Sequence, residues 1–328
     1  MKTWPLLALV ALLVVLQLQS LQPAAAQFVR APGATLKLCY FYGGKLTDLG
    51  YTFSFHTGRL QAQEELKALY PDITIESVYA ENVFFSDINR TQNLIDYIQS
   101  GCHMIITNAN QALMQGAWPI TGPLIDMHDW AATTYPNVSF VIGGDSNKPL
   151  KWTHPNMIWL SNDLIGAFYR SGVAAAHEAT SCIGVIAAHE HIIGININGF
   201  IKGVRSVKPN LPIHVVETGQ FFWPAAELRV TEQFLERGCN VVARHTNGRD
   251  VDVMISNLKS LNGEKYFSVG IHSNLQEYVG DTVITAIYNN WVRVIVPWVR
   301  DVVEHGRVQQ QPVPKYYGIP GDYVRTAP

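Results

Sequence analysis

The residues able to do chemistry in this chain cluster where short β-rich runs end. The first run leads into Gly43-Gly44, then Asp48, Tyr51 and Phe53. The third leads to Asn108 and Asn110, and the fourth to Gly143, Gly144 and Asp145. Further along, the runs lead to His189 and Glu190, to Gln220, Phe221 and Phe222, to His245, Thr246 and Asn247, and to His272, Ser273 and Asn274. In an open parallel sheet, ligands bind outside the carboxyl ends of the strands. The inventory is aromatic, amide and histidine, with few full charges. Rings can stack on a flat heteroaromatic molecule, and an amide can pair with a purine edge through two hydrogen bonds. A carboxylate such as Asp48 can accept from an amine or a sugar hydroxyl.

Signatures of catalysis and of cofactor binding are missing. The sequence holds no G-x-S-x-G elbow, no phosphate loop ending in G-K-[ST], and no G-x-G-x-x-G after the first strand. His189-Glu190-His191 departs from the zinc motif H-E-x-x-H, because position 193 is Ile. Cys102 and His103 are neighbours in an extended run and point to opposite faces, so they cannot form a nucleophile–base pair. Gly194, Gly199 and Gly203 suit close helix packing better than a phosphate cradle. Neither a metal nor a cofactor is expected.

Composition narrows the field. The chain has 328 residues, 48% of them hydrophobic, enough for two domains with separate cores. Only 15% are charged, the formal net charge is −2, and Lys and Arg do not cluster, which excludes a nucleic-acid surface. Lys2, the apolar run Leu6 to Leu16 and Ala24-Ala25-Ala26 predict an export signal cleaved before Gln27. The run lacks the cysteine that would carry a lipid anchor. The mature chain is expected not to span a membrane and to work outside the cytoplasm, where cysteines can oxidise. Cys182 and Cys239 both begin strands expected to be adjacent, where a bridge is admissible. Cys39 and Cys102 are the equivalent pair, in poorer register. Sequons stand at Asn89 and Asn137.

Strand-like and helix-like runs alternate through the chain. Leu36–Tyr42, Ile73–Tyr79, Met104–Thr107 and Val138–Ile142 read as strands, separated by helical runs at Tyr51–Leu69, Ile88–Gln99 and Ile125–Thr134. The rhythm restarts with a helix at Ile165–Glu178. Strands then fall at Cys182–Ala187, Ile213–Glu217, Asn240–Arg244 and Tyr266–Val269, with helices at Ile195–Val207, Ala225–Arg237 and Val253–Leu261. A late strand, Val283–Tyr288, and helix, Trp291–His305, follow. The pattern predicts an α/β protein of two Rossmann-like lobes with parallel sheets, joined by several crossings. The expected division is 27–150 plus about 271–300 for the first lobe, and 151–270 plus about 301–328 for the second.

Five segments, in order, resemble those of the basic membrane protein family of solute-binding proteins, also called the Med or purine-nucleoside-receptor type. Asp48-Leu49-Gly50-Tyr51-Thr52-Phe53-Ser54-Phe55-His56-Thr57-Gly58 is similar to D-G-G-W-T-Y-A-H-E-Q-G, and Gly219-Gln220-Phe221-Phe222-Trp223-Pro224-Ala225 to G-S-W-Y-D-P-A. His245-Thr246-Asn247 resembles H-T-D, and Gly270-Ile271-His272-Ser273-Asn274 resembles G-Y-H-S-D. Ile284-Thr285-Ala286 with Trp291 resembles L-T-S and a later Trp. The resemblance implies the type I periplasmic-binding-protein fold and service to an ABC permease. It also implies a purine base or nucleoside held between the lobes by Asp48, Tyr51, Phe221 and Asn274. Two family tryptophans are Tyr51 and Phe221 here, and two family carboxylates are Asn247 and Asn274. The candidate ligand contacts are Asp48, Tyr51, Phe53, Asn108, Phe221, His245, Asn247 and Asn274. The expected role is capture for uptake or for sensing. The rival is a nucleoside hydrolase or phosphorylase on the same plan.

Overall fold

A computed structural model describes residues 27–83, 90–108, 127–144, 154–262, 265–309, 315–317 and 324–326. The export segment, Asn89, Asn110 and Asp145 lie outside them. The first series runs β1 (Thr35–Phe41), α1 (Tyr51–Leu69), β2 (Thr74–Ala80), α2 (Arg90–Gln99), β3 (Met104–Thr107), α3 (Met127–Thr134), β4 (Ser139–Gly144) and β5 (Met157–Asn162). The second runs α4 (Ile165–Glu178), β6 (Ile183–Ala187), α5 (Glu190–Val207), β7 (Ile213–Glu217), α6 (Pro224–Glu236), β8 (Val241–His245), α7 (Asp250–Asn262), β9 (Phe267–Ile271), α8 (Gln276–Val279) and β10 (Val283–Asn289). The tail adds α9 (Trp291–His305), β11 (Lys315–Tyr317) and β12 (Val324–Thr326).

These strands form two six-stranded sheets, ordered β11-β5-β4-β3-β1-β2 and β12-β10-β9-β8-β6-β7. Every described pairing is parallel except that of β12 with β10. In each sheet the order reverses beside the first strand, between β1 and β3 and between β6 and β8. Those reversals are the switch points at which open α/β sheets bind ligands.

The inner strands β1, β3, β6 and β8 are buried on both faces, which is why they read as apolar runs. In β1, Leu36, Leu38 and Tyr40 face one core with α1 and α9, while Cys39 and Phe41 face another. In β6, Ile183, Val185 and Ala187 face one core and Ile186 the other. Both cysteine pairs are bridged, Cys39 to Cys102 and Cys182 to Cys239. The second bridge sits at the amino ends of β6 and β8, away from the carboxyl ends. His214 lies beside it, with its ring nitrogen and the two sulfurs within 4.8 Å of one another. The sulfurs are spent on each other, so that trio offers no thiolate.

Sheet membership moves the lobe boundaries from the expected ones. β5 extends the first sheet along the free edge of β4, and β10 extends the second along β9. The segment about 271–300, expected in the first lobe, is therefore split, with β10 in the second lobe and α9 against α1 in the first. Of the tail expected in the second lobe, β11 joins the first sheet and only β12 the second. The chain thus crosses between sheets after β5, after β10 and between β11 and β12.

Helices α4 and α5 pack closest of all. A Cβ on Gly203 would meet the backbone of Tyr169, and one on Gly172 the backbone of Phe200. Gly203→Ala is expected to cost about 1–3 kcal/mol through overpacking, at roughly 2–4 °C of melting temperature per kcal/mol. Thermal unfolding followed by circular dichroism checks this.

Candidate functional site

The turn from β1 into α1 builds the first wall. Asp48 is buried, and its Oδ1 accepts from the backbone N–H groups of Gly50 at 2.9 Å and Phe53 at 3.2 Å. Its Oδ2 accepts from Thr52 N–H at 3.0 Å. A carboxylate over a helix N-terminus satisfies donors that have no intrahelical partner. Burial lifts this carboxyl above the usual range against the opposing pull of those N–H groups. Asp48 was expected to face a ligand amine or hydroxyl. In the structure, three bonds bind it to Gly50 and the first turn of α1.

That brace fixes Tyr51, the first residue of α1. Its hydroxyl donates to the Asn108 carbonyl at 2.6 Å. Its ring packs edge-on to Trp291, centroids 5.6 Å apart, and to His272 of the second lobe at 5.3 Å. Trp291 is held in turn by Phe55 at 4.7 Å and by donating to Ser54 Oγ at 3.2 Å. Asn108 follows β3, and its Oδ1 accepts from Gly43 N–H at 2.8 Å. Its Nδ2 is buried without a hydrogen-bond partner. Phe53 is half-buried and joins the cluster through its N–H to Asp48.

Two joined loops form the second wall. Asn247 N–H donates to the Phe221 carbonyl, which ties the β7–α6 loop to the β8–α7 loop. The Phe221 ring packs edge-on to His189 at 5.5 Å. Between His245 and Asn247, Thr246 is fully buried and gripped from two sides. Its hydroxyl donates to Glu227 Oε2 at 2.5 Å, and its carbonyl accepts from Arg244 Nη1 at 2.8 Å. Arg244 is itself paired with Asp252 at 2.7 Å, both buried. Glu227 also accepts from Trp223 N–H at 3.2 Å. These buried charges all have partners, as they must to be tolerated.

The lobes meet at this second wall. A Cβ on Gly50 would lie 2.6 Å from the Asn247 carbonyl oxygen, so only glycine permits that approach. His245 ends β8 and His272 follows β9, with ring centroids 6.4 Å apart. Burial, with Arg244 adjacent, pushes His245 down to about 3. Burial also holds His272 well below the usual histidine range, with His245 and Arg244 adding to the effect. Both imidazoles are neutral near pH 7. Asn274 lies in the turn after β9, its Nδ2 donating to Glu277 Oε1 at 2.8 Å.

The structure therefore gathers Tyr51, Asn108, Phe221, His245, Asn247 and Asn274 at the carboxyl ends of the two sheets. Sequence reasoning placed His272 at a strand end without counting it among the ligand contacts, and did not single out Asn289, Glu227 or Arg244. His272 bridges the lobes, and Asn289 ends β10 with a buried Oδ1 that has no partner. Polar residues at strand ends were the available signal for these two. Glu227 and Arg244 carry no local signal, because their partners come from other elements.

Both histidines titrate lower in the folded chain than unfolded. Their contribution to stability is fully present above about pH 6.5 and is lost as pH falls below it, for His245 at about 1.4 kcal/mol per pH unit down to about pH 3, with His272 adding to the loss in the same direction. Urea unfolding across that window should show this slope, reduced in His245→Phe. Thr246→Val leaves Glu227 without its hydroxyl donor, and should cost about 1–3 kcal/mol in the same assay.

Comparison with known proteins agrees with this fold. The model of the Bmp family, described as ABC transporter substrate-binding protein PnrA-like, matches residues 35–327. A solute-binding protein of an ABC transporter system from Aeropyrum pernix superposes with a TM-score of 0.71 at 14% identity, over 89% of this chain and 76% of that one. A transcriptional activator of the comK gene from Bacillus halodurans gives 0.66 at 14% identity, over 89% and 90%. At that identity these likenesses show the type I periplasmic-binding-protein fold alone. The metabotropic glutamate receptor-like protein H of Dictyostelium discoideum is 25% identical over 145 residues, which are 43% of this chain and 18% of that receptor. Among the described residues, no helix is long and apolar enough to cross a membrane. With the family model spanning both sheets and both walls, this chain belongs to the Bmp family of PnrA-like ABC transporter substrate-binding proteins.

Proposed function

We propose that the chain captures a neutral, flat heteroaromatic molecule, a purine base or nucleoside, between its lobes. One observation carries the reading. Three charged groups of the two walls are spent inside them, Asp48 on the start of α1, Arg244 on Asp252 and Glu227 on Thr246. Among the described candidate contacts, the unpartnered buried polar atoms are neutral. Asn108 Nδ2 can donate, His245 Nδ1 and Asn274 Oδ1 are buried without partners, and the rings of Tyr51 and Phe221 offer faces or edges. An anionic nucleotide would meet no free cation among the residues named here. A purine of about ten heavy atoms, at roughly 0.8–1 kcal/mol per atom, would bind near or below micromolar. Phe53 and Asn247 complete the proposed contacts, with Asp48 as the brace behind Tyr51.

Export to an extracytoplasmic compartment and delivery to an ABC permease belong to the same proposal, supported by the family and by the apolar segment ahead of Gln27. The match to a Dictyostelium receptor-like protein favours a second reading, in which the same cleft senses rather than feeds a transporter. Permease and ATPase genes beside this one would favour uptake. Catalysis is not part of the proposal. Steady release of free base from a nucleoside by the pure protein would overturn it in favour of a hydrolase.

A thermal-shift panel on protein stripped of ligand by partial unfolding and refolding tests the ligand class. Purines at a hundredfold excess over Kd should stabilise by about 2.7 kcal/mol, while amino acids and sugars should not. Stabilisation by a control class alone would contradict the purine reading.

A further inference from the structure

Asn274 stands where the family segment has a carboxylate, and an amide could turn either edge to a ligand. The structure removes that freedom. Asn274 Nδ2 donates to Glu277 Oε1 at 2.8 Å. An ionised carboxylate can only accept, so the NH₂ edge must face Glu277 and the carbonyl edge must face away. Asn274 Oδ1 is then buried and lacks a hydrogen-bond partner. Asn289, at the end of the neighbouring strand β10, likewise buries an Oδ1 that has none. Both sit at carboxyl ends of the second sheet, and His272, two residues before Asn274, reaches the Tyr51 ring of the first lobe. Buried acceptors are almost always bonded in finished structures, which points to donors that arrive with the ligand.

We propose that Glu277 is a specificity-determining positioning residue. By holding the Asn274 amide, it turns Oδ1 into a neutral acceptor for an N–H or O–H of the ligand. The site then offers the hydrogen-bonding face of a carboxylate without its charge. The Asn274–Glu277 pair does the work of an aspartate in a wall where Arg244 and Glu227 are spent on Asp252 and Thr246. This inference rests on the reading that the ligand lies at these strand ends.

The test uses ligand-stripped protein and two readouts. The side-chain amide of Asn274 in ¹⁵N-labelled protein reports orientation with no ligand present. Calorimetric titration with hypoxanthine, adenine, guanine, their nucleosides, sugars and amino acids reports binding. In the wild type the two Asn274 amide protons should be widely separated and slow to exchange, and Glu277→Ala should abolish both features. The same variant should weaken the best ligand about tenfold. It should leave the ligand-free melting temperature nearly unchanged, since Glu277 is exposed. The reciprocal pair Asn274→Asp with Glu277→Gln restores a donor to an acceptor, and should bind within about threefold of wild type. Wild-type affinity in Glu277→Ala, or a reciprocal pair no better than Glu277→Ala, would overturn the inference. A wild type that binds a sugar or amino acid instead would overturn the purine reading, and the same affinity ratios on that ligand would still decide the role of Glu277. A wild type that binds nothing in the panel would overturn the ligand half, leaving the amide spectrum to decide orientation.

Discussion

The backbone of Asn247 lies against Gly50, and the site depends on that contact between the lobes. Each partner is fixed from behind by buried polar groups. Asp48 pins the first turn of α1 and so sets Gly50 and Tyr51 together. Glu227 and Arg244 pin Thr246 and so set His245 and Asn247 on either side. Bound polar groups in a low-dielectric interior have few alternative arrangements, which makes them rigid supports. The two walls can therefore meet in one register, with Tyr51 beside His272 and the tied loops of Phe221 and Asn247 opposite.

The same supports occupy charged groups of the walls. Asp48, Arg244 and Glu227 each spend hydrogen-bonding capacity on holding a loop. The histidines, left in a dry neighbourhood beside Arg244, stay uncharged. Amides and rings are what the sequence then places at the strand ends. The replacement of family carboxylates by Asn247 and Asn274 fits this arrangement, because it removes charge while keeping hydrogen-bonding capacity.

Much of this was legible in the sequence, and the failures have physical causes. Strands buried on both faces gave continuous apolar runs, so β1, β3 and β6 were found within a residue of their ends. Helices α1, α4 and α9 were found to the residue, because their apolar stripes and flanking turns agree. β5 was missed, being six residues of mixed character, Met-Ile-Trp-Leu-Ser-Asn. The lobe boundaries were misplaced because which sheet a strand joins is a long-range matter. β10 carries no mark that it pairs with β9. Among site residues, the aromatic and amide groups at strand ends could be read locally. Asp48, expected as a ligand contact, also carries the capping signal of an Asp just ahead of a helix start, and that part is what the fold displays. Arg244 with Asp252, and Glu227 with Thr246, join residues of different elements and could not be seen before the fold placed them together.

The most direct test is the ligand affinity of Gly50→Ala, measured calorimetrically on stripped protein beside its ligand-free melting temperature. A methyl group at Gly50 would collide with the Asn247 carbonyl, 2.6 Å away, and hold the walls apart without opening either core. The expected result is affinity lowered by about tenfold or more, with the melting temperature little changed. Unchanged affinity in Gly50→Ala would contradict the claim that the ligand is held by the meeting of these two walls.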